Sequence, residues 1–75
     1  MESVENTLIN IGNKLMGLRI KNGFVSLEDF VLDNNLSRMH YWRIEKGKTN
    51  FTIKSLAKIL AIHNISIEDF FSNAA

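Results

Sequence analysis

The chain has no cysteine and no proline among its 75 residues. Without cysteine there is no disulfide staple, no thiolate metal site and no thiol nucleophile, a pattern that suits a reducing compartment. Without proline, the boundaries of regular structure must be written with glycine and polar turn residues instead. Histidine is also scarce: His40 and His63 cannot close a structural zinc site alone, and neither has a carboxylate or second histidine at a metal-binding helical spacing, so no metal is expected. No apolar run approaches the length of a bilayer span, and the first residues include Glu2 and Glu5 rather than a basic signal head, which predicts a soluble, cytoplasmic chain with no membrane partner. At this length the expectation is one domain with its core spanning about residues 8–72, and no room for a large catalytic cleft or a small-molecule pocket.

What is present follows a repeated grammar. An apolar residue, a Ser or Thr, and a second apolar residue four positions later recur as Val25-Ser26-Phe30, Leu36-Ser37-Tyr41, Phe51-Thr52-Leu56 and Ile65-Ser66-Phe70. Each reads as a helix start, in which the hydroxyl accepts from a first-turn N–H and the preceding apolar side chain packs on the one in the fourth helical position. Asp29 and Asp69 extend two of these starts toward a capping box. The stops are Asn22-Gly23, Asn34-Asn35, Gly47 and Asn64, all residues that tolerate the left-handed conformation in which helices end. A first helix ending near Asn22 buries Ile11, Leu15 and Leu18, and its start lies between Ser3 and Asn10. The pattern predicts helices over about 8–22, 27–34, 38–46, 53–63 and 67–72. Nothing alternates around a two-residue turn, so the fold class is all-α, a compact bundle of short crossing helices.

Net charge is only +1, but its distribution is uneven. Arg38, Arg43, Lys46 and Lys48 face a single acid, Glu45, while Glu28, Asp29 and Asp33 lie just upstream, so positive charge concentrates on one short segment. Taking about 100° per residue from Arg38, Trp42, Met39 and Arg43 share one helical face, while His40, Tyr41 and Ile44 share the other. The second is a core face, and the first lies opposite it.

The order and spacing of several separated features resemble those of the lambda-repressor-like, or XRE-type, helix-turn-helix transcriptional regulators. They are Ile11-Gly12 and Leu18-Arg19, Phe30-Val31, Leu36-Ser37-Arg38, Ile44-Glu45-Lys46-Gly47, and then Leu56, Ile59 and Ser66-Ile67-Glu68-Asp69-Phe70. The resemblance runs from Ile11 to Phe71 and implies a five-helix DNA-binding domain. In it the segments Ser26 to Asn34 and Ser37 to Lys46 form the helix-turn-helix, and the latter is the recognition helix in the major groove of duplex DNA. By the same resemblance, bases are read from Arg38, Met39 and Arg43, phosphate contacts lie around the helix ends, and Arg19 and Glu45 form a structural ion pair. Ser26, Ser37, Trp42, Lys46 and Lys48 complete the candidate DNA-binding set, with Lys48, past the helix, suited to phosphate as a point charge. Arginine forks suit guanine O6 and N7, and a thioether suits the thymine methyl. Trp42 has two readings, a stack on sugar or base and a cover over the seam between the third and fourth helices. The chain departs from the family pattern at Leu27, where a phosphate-contacting glutamine is common, at an extra residue in the Phe24-Val25 turn, and at Val31, Leu60 and His63, which imply local repacking.

Ser26, Ser37, Thr52 and Ser66 read as caps without a base partner, so no catalytic residue and no cofactor are expected. Ile67, Phe70 and Phe71 form an apolar cluster that is either core or a dimer surface, and a homodimer through the C-terminal helix is expected because one recognition helix spans only a few base pairs. The resulting expectation is a sequence-specific, repressor-type DNA-binding regulator. The rival is a protein-interaction module of the same fold that has lost DNA binding, which Leu27 and the low net charge favour.

Overall fold

The computed structural model describes residues 3–72, and they form five α-helices: α1 (Val4–Lys21), α2 (Leu27–Asp33), α3 (Arg38–Glu45), α4 (Ile53–Ile62) and α5 (Ile67–Ser72). No strand occurs among the described residues. The starts are made by hydroxyl caps: Ser26, Ser37, Thr52 and Ser66 accept from the backbone N–H of Asp29, His40, Ser55 and Asp69 at 3.2, 3.3, 3.0 and 3.0 Å. The first helix begins about a turn earlier than its buried stripe requires, because Ser3 caps it through the Asn6 N–H at 3.1 Å and Glu5 complements the positive end of the helix.

The stops share one geometry. Gly23, Asn35, Gly47 and Asn64 have φ of 94°, 55°, 71° and 58°. Past each, the next residue donates back five positions, Phe24 to Arg19, Leu36 to Val31, Lys48 to Arg43 and Ile65 to Leu60, at 3.0, 2.8, 2.9 and 3.1 Å. This is the Schellman closure, which satisfies the last carbonyls of a helix and usually tucks an apolar residue underneath. Phe24, Leu36 and Ile65 do pack against the core. Lys48 stands at the same position after α3 and is exposed.

Ile11, Leu15, Phe30, Val31, Tyr41, Ile44, Leu56, Ile59, Leu60 and Phe70 make the core. Phe30 is its hub: Phe24 meets it edge-on at 5.3 Å, Tyr41 lies at 5.1 Å and His63 stacks on it at 5.5 Å with an interplanar angle of 5°. The expected packing of Val25 on Phe30 does not occur. Val25 is 79% exposed, and Phe24 takes its place, because the longer turn carries Phe24 inward as the closing residue of α1. Leu27, Val31 and Leu60 all contribute to or pack on the core, which accounts for their bulk. Lys14 donates to the Phe70 carbonyl and lies 4.3 Å from the Phe70 ring centroid, tying α5 to α1.

An open groove of about 540 Å³ lies between α1 and α5, lined in part by Lys14, Leu18, Ile65 and Phe70. The chain therefore has more room than its length suggests, although none of α3 borders it. None of the described helices is long and apolar enough to cross a membrane.

Candidate nucleic-acid interface

α3 is fixed from its C-terminal end. Gly12 of α1 lies against the backbone there: a Cβ at Gly12 would sit 2.3 Å from the Glu45 carbonyl oxygen and 2.7 Å from that of Ile44. Gly47 also lies close to α1, since a Cβ on it would fall 2.8 Å from the Ile9 Cα. Two absent side chains thus let the helices meet backbone to backbone.

Across this contact Arg19 and Glu45 form a buried fork. Arg19 Nε donates to Glu45 Oε2 at 2.8 Å and Nη2 to Oε1 at 3.2 Å, while Nη1 donates to the carbonyls of Phe24 and Val25 at 2.8 and 2.7 Å. The two side chains retain 7% and 2% of their exposure. The hydrogen bond to Glu45 holds the Arg19 pKa above the ordinary arginine value despite burial. One guanidinium therefore joins α1, α3 and the turn that precedes α2. Tyr41 is buried in the field of the same pair, and burial first, Glu45 second, push its phenol well above the ordinary tyrosine range. Its hydroxyl has no hydrogen-bond partner among the described residues.

The opposite face of α3 is open. Arg38, Met39, Arg43 and Lys46 are exposed and Trp42 is half-buried, while Tyr41, Ile44 and Glu45 are buried. His40 departs from the helical-wheel reading. It is exposed rather than part of the core face, because it stands at the wheel's boundary and the core turns toward Tyr41 and Glu45 instead. Met39 is 52% exposed, an apolar side chain presented to solvent in the first turn. Arg43, Lys46 and Lys48 make no side-chain hydrogen bond or ion pair among the described residues.

Arg38 differs from its neighbours. Its Nε and Nη2 donate to Glu28 Oε2 at 3.0 and 2.7 Å, joining the first turn of α3 to the first turn of α2. Ser26, besides capping α2, donates its hydroxyl to the other oxygen of Glu28 at 3.4 Å. Arg38 lowers the Glu28 carboxyl below its ordinary pKa. Sequence reasoning places Glu28 only in an upstream acidic cluster and misses this contact. The available signal is a pair of opposite charges in the first turns of two successive helices.

Ser26 and Ser37 are thus occupied as caps, Arg38 is held by an acid, and Met39, Arg43, Lys46 and Lys48 are free on or beside one exposed face. His63, the other histidine, lies in the core with Nδ1 2.6 Å from the Asn22 amide nitrogen, and burial lowers its pKa. No group of three metal-ligating side chains occurs among the described residues.

No family model and no solved structure matches the chain. A curated relative, control protein C.MunI from a Mycoplasma species, is 38% identical over 65 residues, covering 87% of this chain and 88% of its own length. That likeness spans nearly all of both proteins, and it joins a five-helix architecture whose second and third helices are linked by a tight turn. The chain belongs to the lambda-repressor-like, XRE-type family of helix-turn-helix regulators and is a DNA-binding regulator of transcription.

Proposed function

We propose that the chain binds specific duplex sequences by laying α3 in the major groove, with Arg43 and Met39 reading base edges, Arg38 contributing a second fork, and Lys46, Lys48, Ser37 and Ser26 meeting the backbone. The observation that carries this is the asymmetry of α3. Its inner face is locked by Tyr41, Ile44 and Glu45, and its outer face offers Arg43, Lys46 and Met39 with the two cations unpaired. Arg43 lies one turn into the helix, where a guanidinium can bond guanine O6 and N7 as a fork. Lys48 occupies a helix-closing position that holds an apolar residue after α1, α2 and α4, which fits a point charge aimed at phosphate. Trp42, half-buried at the edge of the same face, is placed to flank the backbone.

The active species is a homodimer on a roughly palindromic site, with half-sites about 10 to 10.5 base pairs apart. Phe71, 51% exposed beside the buried Phe70, supports contact through α5. Regulation of this kind needs no cofactor.

Selection of bound sequences from a random duplex pool at low salt tests the reading, followed by Arg43→Ala and Lys48→Ala on the selected duplex and a scrambled one. Arg43→Ala should cost roughly 1 to 3 kcal/mol on the selected sequence and much less on the scrambled one. Lys48→Ala should weaken both alike and reduce the salt slope by about one counterion. A pool that yields no motif supports the protein-interaction alternative instead.

A further inference from the structure

Among the described residues, the Glu28 carboxylate is the one acid paired with a side chain of the outer face of α3, and it is held at both oxygens. Oε2 receives two N–H groups of Arg38, and Oε1 receives the Ser26 hydroxyl, which is itself anchored as the cap of α2. A guanidinium has five N–H groups in a fixed plane. Nε and Nη2 face Glu28, which leaves Nη1 and the second N–H of Nη2 as the free edge. That edge carries the paired donors that match guanine O6 and N7.

We propose that Glu28 is a positioning residue for DNA readout: it grips the inner edge of the Arg38 guanidinium, presents the outer edge to the groove, and so sets the base preference of that arginine. The inference rests on α3 being the recognition helix. A half-exposed arginine without such a grip is distributed over many rotamers, and ordering it on binding opposes the contact. Glu28 does this ordering before DNA arrives. Its negative charge also disfavours sequence-independent binding by repelling phosphates, since that mode gains from every cation and loses from every anion near the duplex. Both effects act in the same direction, toward discrimination.

The test measures affinity for the selected duplex and for a scrambled duplex of the same length at matched salt, for the native chain, Glu28→Ala and Glu28→Gln. Glutamine removes the charge but keeps an oxygen that can accept from Arg38; alanine removes both. Each substitution should tighten scrambled binding to the same extent. Glu28→Ala should lower the ratio of selected to scrambled affinity by roughly three- to tenfold, while Glu28→Gln leaves most of it. The ratio is insensitive to any loss of folded protein, because a smaller active fraction scales both affinities equally. In an Arg38→Ala background, Glu28→Ala should lower the ratio no further than Glu28→Gln does in the native chain, because only the charge effect is left to lose. An unchanged ratio in Glu28→Ala, or an equal fall in Ala and Gln variants, overturns the grip and leaves only charge. If the native chain selects no sequence at all, the reading of α3 fails and this inference with it.

Discussion

Two arginine–glutamate pairs bracket α3, and they differ in almost everything except chemistry. Arg19 and Glu45 meet at its C-terminal end with side chains 7% and 2% exposed; Arg38 and Glu28 meet at its N-terminal end with 52% and 59%. The shortest contacts are nearly equal, 2.8 and 2.7 Å. Surroundings decide what each can do. In a low-dielectric interior either charge alone is heavily penalised, so the inner pair behaves as a joint that stays closed. At the surface, water and salt replace a lost partner at little cost, so the outer pair can orient Arg38 without contributing much to the stability of the fold. The helix is rigid where it meets the fold and adjustable where it meets a ligand.

Breaking the inner pair should give the largest effect. Arg19→Met or Glu45→Leu alone should each destabilise the fold by about 3–5 kcal/mol, because the remaining charge is buried without its counterpart. For a domain of this size that is a large share of the total stability. The double substitution should cost much less than the sum of the two, as read from a double-mutant cycle by denaturant unfolding. Additive effects would show that the burial of these groups, not their pairing, sets the stability of this end of α3.

The same end can be probed without touching a charge. Gly12→Ala drives a methyl group into the Glu45 carbonyl, which is backbone and cannot swing aside, so a loss of about 3 kcal/mol or more is expected. Gly17 lies in the same helix, and a Cβ there meets nothing within 4 Å. Gly17→Ala should therefore stabilise by roughly 0.5–1 kcal/mol through the helix preference of alanine alone. Opposite shifts in unfolding midpoint for two identical substitutions in one helix would locate the α1–α3 contact; shifts of the same sign would remove it.

A smaller effect belongs to His63, near the other end of α1. The Asn22 amide donates to Nδ1, so the ring proton lies on Nε2, which is buried without a partner among the described residues. Burial lowers the folded pKa of His63, so as pH falls below about 6.5 the unfolded chain takes up its proton first and stability declines until the folded pKa is passed. Above that window the group contributes no slope. His63→Leu should stabilise by about 1 kcal/mol at neutral pH by removing the unpaired donor, and should flatten stability between pH 6.5 and the acid unfolding of the carboxylates. Unfolding midpoints at a series of pH values check both parts, and an undiminished slope in the leucine variant would assign the decline to other groups.

The local chemistry of these regions is legible in the sequence, and their long-range geometry is not. Ser26, Ser37, Thr52 and Ser66 announce helix starts, and Gly23, Asn35, Gly47 and Asn64 announce stops, because capping and closure are settled within about six residues. Phe24 replaces Val25 against Phe30 for a reason no short window contains: the turn after α1 is shaped by Arg19, which takes the carbonyls of both residues. His40 falls on solvent because an eight-residue helix leaves its boundary positions undecided until a neighbouring helix packs. The Arg38–Glu28 contact depends on how α2 crosses α3. Family resemblance supplied the expectation of an Arg19–Glu45 pair, but nothing comparable pointed to Glu28.

The smallest effect on stability, and the sharpest test of the contrast, comes from the outer pair. Glu28 stands in the first turn of α2, where the positive field of the helix end favours a carboxylate whether or not Arg38 is present. A single Glu28→Ala variant therefore mixes two losses, and only a cycle with Arg38→Ala isolates the pairing. Both side chains are more than half exposed, so solvent and salt screen the attraction and ordering two long side chains offsets much of what remains. The cycle, run by denaturant unfolding at physiological salt, should return a coupling close to zero, and the same cycle at low salt should reveal a small favourable one. DNA-binding discrimination, by contrast, should respond to Glu28 under the same conditions. A stability coupling as large as that of Arg19 and Glu45 would erase the distinction between the two ends, because the outer pair would then be a joint of the fold rather than a support for readout.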